Sequence, residues 1–273
     1  MEILQYAFFR NALLGVALIS IATAMIGTYI ATRRMVFIAG GVTHACFGGL
    51  GLGYFLGVNP LVMATLFAVG GSLGVDWLSR RRVRKDTAVG VIWALGMAVG
   101  VLFIFLTPGY APDLNTFLFG NVLTITHTDL WLFAGLVTVI LTGWALFHRQ
   151  IIAVSFDADF AHTRHLPVRK IEMVMTVLVA VTIVLTIRMI GIMLLMSLMT
   201  LPQITSELYA RRYSRVQVLS ACISVAGGVG GLFVAYAISV PASAAIVLLL
   251  IAFYAIGFLI RLLSRKYIRT NGI

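Results

Sequence analysis

From Ile171 to Ala210 the chain runs forty residues with charge only at Glu172, Arg188 and Glu207. A bilayer's hydrocarbon needs about 20 apolar residues for one helical crossing. The run is therefore too long for one helix and about right for two. Other apolar runs of about 18 residues or more recur along the chain. Of its 273 residues, 61% are hydrophobic and 11% charged, too few charges to cover a water-soluble domain of this size. The short alternating segments of a β-barrel are not visible. The expected fold is an all-α polytopic membrane protein of about nine transmembrane helices, forming a single transmembrane domain over 1–273 with no internal repeat.

The nine candidate spans lie near 11–31, 36–57, 60–79, 87–107, 129–147, 171–187, 190–209, 216–238 and 243–261. Arg188 with Gly191 marks the turn inside the forty-residue run. The net charge of +11 is read as topology and contact with membrane lipid headgroups, not as a nucleic-acid surface, because Lys and Arg collect in cytoplasmic loops. If the cluster Arg80 to Asp86 is cytoplasmic, alternation places Arg33, Arg34, Arg149, Arg164, Arg169, Lys170, Arg211, Arg212, Arg215 and the basic tail there too. Only Arg10 and Arg188 then fall outside, with the amino terminus outside and the carboxyl terminus cytoplasmic. The start, MEILQYAFFRN, lacks the basic and small-residue pattern of a cleaved signal. Leu118 to His127 is too short to span and reads as a re-entrant or interfacial piece. Cys46 and Cys222 both lie in apolar runs and read as packing residues.

The second span is rich in glycine. Gly41, Ala45, Gly49, Gly53 and Gly57 fall four apart on one helical face, as do Gly227, Gly231 and Ala235 in the eighth span. Such stripes of small residues let a neighbouring helix approach closely. His44 sits among the first set with Gly40 and Gly48 one turn to either side. An ionisable residue at membrane depth faces the bundle interior or a hydrated path. The alternative is a neutral imidazole hydrogen-bonded to a neighbouring helix. Other donors at membrane depth or its edge are Cys46, Asp76, the methionines of span seven, and the pair His127 and Asp129. One histidine alone is a poor metal site, since selectivity needs several donors.

Between Val154 and Lys170, Phe156 and Phe160 are four apart, as are Asp157 and Ala161. A short amphipathic helix there presents two aromatics to a groove, with Arg164 near its end and Pro167 to stop it. No GxxxxGK[ST] phosphate loop is present, so the chain has no site of that kind for ATP. GGSLG, around Ser72, fits a nucleophile pattern but lies in an apolar helix, where packing is the plainer reading. HExxH is absent. A secondary transporter driven by protons or sodium stays open. Such proteins use mid-span carboxylates, and here Asp76 and Glu207 lie near the inner ends of their spans.

Several segments together resemble the permease subunits of ATP-binding-cassette (ABC) importers for zinc, manganese or iron(II). These are TRRMVFIAGGVTHACFGGLGLGYFLG, KDTAVGVIWALGMAVGVLF, FLFGNVL, SFDADFAHTRHLPVRKIEMV and GIMLLMSLMTLPQITSELYARR, in the family's order over most of the chain. The resemblance implies a transport subunit rather than an enzyme, in the bacterial inner membrane. It implies a homodimer of permeases, two separate ATPase subunits that bind the ATP, and an extracytoplasmic metal-binding protein. The chain itself would bind no cofactor, and the divalent metal is cargo. His44 carries over as the histidine on the translocation path, with His127 and Asp129 as further metal candidates. Phe156, Asp157, Phe160, Ala161 and Arg164 carry over as the ATPase-coupling segment. The family commonly has an aspartate four residues before this histidine; here that position is Gly40. After Leu-Pro the family's small residues are replaced by Gln203, Ile204 and Thr205.

Overall fold

The computed structural model describes residues 5–81, 83–108 and 120–270. Among these the chain is helical, without a strand. The helices are α1 (Ala7–Thr32), α2 (Val36–Leu56), α3 (Pro60–Arg80), α4 (Lys85–Leu106), α5 (His127–Phe156), α6 (Ala158–Thr163), α7 (Val168–Leu198), α8 (Leu201–Glu207), α9 (Tyr213–Ile238) and α10 (Ala242–Thr270), with a 3₁₀ turn at Val122–Thr124 before α5. Leu118 and Phe119 of the expected re-entrant piece lie outside the described residues. Its remainder forms the 3₁₀ turn and the start of α5.

Eight stretches of described helix are long and apolar enough to cross a membrane, α7 and α8 together making the longest, Val168–Glu207. That stretch is not straight. Gly191 has φ 74° and ψ 170° inside it, a conformation open essentially to glycine alone. A straight helix would hold Glu172 and Gln203 about 46 Å apart. Instead Glu172 pairs with Arg33, and the Gln203 amide donates to the Ala24 carbonyl at 3.4 Å. Those two partners are separated by only about 14 Å along α1. The chain therefore folds back at Gly191, where Arg188 and Gly191 mark the turn in the sequence. Counting the two arms separately makes nine legs.

Three elements form the centre. In α1, α2 and the α7–α8 stretch about two-thirds or more of the apolar window is buried, against 17% in α4 and α10. Helices at the periphery turn large apolar side chains outward, such as Phe105 and Trp131, as lipid contact requires. Several hydroxyls within the spans are satisfied locally: Thr23, Thr28 and Thr43 each donate to the carbonyl four residues back.

The glycine faces do the packing expected of them, with one exception. A Cβ added at Gly49 would lie 2.7 Å from the Ala64 Cα on α3, and one at Gly53 the same distance from the Pro60 Cα. Gly41 abuts Val89 of α4. Gly227 packs on Leu250 and Gly231 on the Ile246 backbone of α10. Gly57 is the exception: a Cβ there would meet nothing within 4 Å. Gly57 instead ends α2 in the left-handed region at φ 66°, which glycine enters without a steric penalty. Asn59 then caps α3, its side chain accepting from the Leu61 amide at 3.0 Å, with Pro60 in the first turn. A second close contact was not legible in the sequence. Gly48 and Gly51 of α2 meet the backbone of Gly96 and Gly100 on α4, so α2 is held tightly between two neighbours.

The two ends of the bundle differ. At one, Arg33 pairs with Glu172 and donates to the Val154 carbonyl at 2.7 Å, tying α1 to the end of α5 and the start of α7. Arg34, Arg84, Arg164, Arg169 and Arg211 fall at this basic end by alternation of the helices. The opposite end carries Arg10 and Arg188. There the Asn121 amide donates to the Met189 carbonyl (3.1 Å) and the Asn11 side chain to the Ile125 carbonyl (3.3 Å).

Candidate translocation and docking sites

His44 lies near the middle of α2, half-buried. Its ring stacks flat on Trp93 of α4, with centroids 4.2 Å apart and planes 5° from parallel. The small residues around it permit this. Gly96, one turn beyond Trp93, packs directly on the His44–Ala45 backbone and draws α4 close enough for the rings to meet. The Nδ1 atom is buried without a hydrogen-bond partner among the described residues. The alternative of a histidine satisfied by a neighbouring helix is therefore not what Nδ1 displays.

Met196, on the returning arm after Gly191, comes up beside this turn of α2. Its sulfur lies 3.9 Å from the Thr43 hydroxyl, and its methyl carbon would be 3.4 Å from a Cβ at Gly40. Where the resembling family has a carboxylate, this chain therefore has an open glycine with a thioether alongside. Span-seven methionines were candidate donors, but their meeting with α2 depends on the fold-back. Cys46 instead donates its thiol to the Val42 carbonyl at 3.0 Å and lines a separate cavity.

The remaining candidates are dispersed. His127 is exposed in the first turn of α5. Asp129 is buried and engaged in a capping box: its Oδ2 accepts from the Thr126 amide (3.0 Å) and hydroxyl (2.6 Å), and its own amide donates to Thr126 Oγ1 at 3.3 Å. The signal for this role was present, because Thr-x-x-Asp before an apolar run is a helix-start pattern. Among the described residues no three His, Cys, Asp or Glu side chains gather as a metal cluster. Ser72 lies within helix α3, without the strand and sharp turn that a nucleophile elbow needs.

At the basic end the segment 156–164 takes a form slightly different from the expected single helix. Phe156 is the last residue of α5 and Asp157 breaks the helix at φ −149°. Asp157 then caps α6, its Oδ1 accepting from the Phe160 amide at 2.9 Å. Ala161 is wholly buried and anchors the short helix, while Phe156 and Phe160 stay 65% and 53% exposed. The Arg164 guanidinium sits 5.4 Å over the Phe160 ring. Phe156 also touches the Tyr213 ring edge-on, with centroids 6.1 Å apart. Two uncovered aromatics thus stand on a capped, anchored turn.

A bundle that is all-helical among the described residues, with a lipid-facing belt, a tight glycine-lined centre and an intramembrane histidine, defines a multi-pass membrane protein. The chain belongs to the ABC 3 transport family, whose model matches residues 5–261. It is 36% identical over 266 residues to an uncharacterized membrane protein of Synechocystis, covering 97% of this chain and 93% of that one. It is 27% identical over 258 residues to the manganese transport system membrane protein MntC of Listeria monocytogenes, covering 94% and 92%. Among solved structures it resembles PsaBC from Streptococcus pneumoniae in complex with Fab, with a TM-score of 0.85 and 27% identity over 94% of this chain and 93% of that one.

Proposed function

We propose that this chain is the permease subunit of an ABC importer for a divalent transition metal, with manganese the first cargo to test and zinc and iron(II) next. Similarity along nearly its whole length to a protein named for manganese transport supports this reading more than any other observation. The basic end faces the cytoplasm, and the amino terminus lies outside. Two permease copies enclose the path. Separate ATPase subunits dock on Phe156, Phe160 and Arg164, and an external metal-binding protein delivers cargo at the end carrying Arg188.

His44 is the side chain we place on the path. Its unpartnered Nδ1 offers one lone pair or one proton at membrane depth. Because the ring makes no fixed cluster with other ligands, it can meet a partly dehydrated cation and release it. A transport site must bind well enough for entry and weakly enough for exit. His127, exposed in the first turn of α5, is the secondary candidate at the mouth of the path, while Asp129 stays committed to its capping box. No ATP chemistry falls to this chain in the reading. Closure of the ATPases pulls on the 156–164 segment, which Arg33 ties to α1 through the Val154 carbonyl.

The test is metal uptake by cells lacking their own importers and supplied with this chain and its partner subunits. Manganese accumulation above the empty strain, reduced by His44→Ala at equal protein level, is the expected result. Full uptake by the His44→Ala chain removes His44 from the path.

A further inference from the structure

A cavity of about 500 Å³ opens between α2, α3 and the first arm of α7. It is not the His44 surface: it is lined by Cys46 and Leu50 of α2 and by Val184 and Ile187 of α7, with Asn59 and Arg188 at its rim. Three observations define what it fits. First, its depth matches one leaflet. From the end of α2 down to Cys46 is about 16 Å of helix, and half of a bilayer's hydrocarbon is about 15 Å. Second, its deeper wall of Leu50, Leu61, Ala64, Val184 and Ile187 is hydrocarbon; the Cys46 thiol there is already bonded to the Val42 carbonyl, and the Tyr54 phenol lies within a turn of the end of α2. Third, Arg188 is the one charged residue among those lining it, and its guanidinium has no hydrogen bond or ion pair among the described residues. Arg33, at the opposite end, has both.

We propose that this cavity is a binding site for an anionic phospholipid, with one acyl chain in the slot and the headgroup phosphate on Arg188. A guanidinium matches a phosphate bidentately. At the depth where α3 begins, the nearest abundant anions are lipid headgroups. A basic pocket between membrane helices recognises them by charge, with hydrocarbon contact adding affinity. The bound lipid would wedge against the fold-back at Gly191, three residues beyond Arg188, and brace the turn that sets Met196 beside α2. The proposal depends on membrane insertion alone, not on which cargo moves.

The experiment uses the full chain purified in detergent, incubated with equal amounts of phosphatidylglycerol and phosphatidylcholine and examined by native mass spectrometry. Phosphatidylglycerol should be retained about fivefold over phosphatidylcholine, and Arg188→Gln, an exposed and structurally mild change, should bring the ratio to about one. In parallel, phosphatidylglycerol should raise the Tm of the unaltered chain more than phosphatidylcholine does, and Arg188→Gln should erase the difference. Equal retention of both lipids by the unaltered chain overturns the proposal, as does a preference that survives Arg188→Gln. Displacement by excess inorganic phosphate would assign Arg188 to a free anion instead. A lipid-free dimer that binds neither lipid would give the cavity to a second copy of the chain. Either result rejects the lipid site.

Discussion

His44 keeps a buried nitrogen unpaired, where an unsatisfied polar atom costs about 1–3 kcal/mol. Met196 lies beside the same turn of α2, and the Trp93 ring fixes the imidazole plane. Replacing His44 by alanine should lower the initial rate of manganese uptake about tenfold, the effect of losing one contact to a desolvated charge, with little change in Tm. Two glycines make a contrasting pair. Gly57 sits at φ 66°, ψ 21° with open space around it, so Gly57→Asn should be tolerated, because asparagine enters the left-handed region. Gly191 sits at φ 74°, ψ 170°, where asparagine gains nothing. Gly191→Ala should cost about 1–3 kcal/mol, seen as a lower thermal midpoint in detergent. Equal midpoints for the two variants would contradict the assigned turn.

Among the elements, α6 and the end of α5 form the surface proposed to receive the ATPase. Phe156 and Phe160 are exposed, so their joint replacement by alanine should leave folding intact. Co-purification of the ATPase subunit should fall to background; full retention in a pull-down would place docking elsewhere. Much of this level was legible from spacing. The small-residue face Gly41, Gly49 and Gly53 and its counterpart Gly227 and Gly231 follow from a period of four, whereas the break at Asp157 separates Phe156 and Phe160 onto two helices. Spacing on one helix does not name the neighbour, however, so the meeting of Gly48 and Gly51 with Gly96 and Gly100 stayed hidden. The placement of Met196 stayed hidden for the same reason, since it depends on how far the chain folds back at Gly191. Asp129 shows the reverse case: its carboxylate reads as a ligand by residue type, but the local Thr126 pattern commits it to a helix start.

For the whole molecule, the apolar runs were enough to read a helical membrane bundle, and the placement of Lys and Arg predicts its sidedness. With Cys46 and Cys222 replaced, a cysteine at Val58 should react with a membrane-impermeant maleimide in intact cells. A cysteine at Arg84 should react only after the cells are opened, and the reverse pattern would invert the bundle. Cargo is the larger question, because neither a helical bundle nor one histidine specifies what drives movement. The most direct measurement is uptake of radioactive manganese into liposomes containing this chain, with and without its ATPase subunit. The account predicts accumulation only when the ATPase, ATP and the external binding protein are all present. Accumulation by the chain alone under a proton or sodium gradient would contradict it and make the protein a secondary transporter.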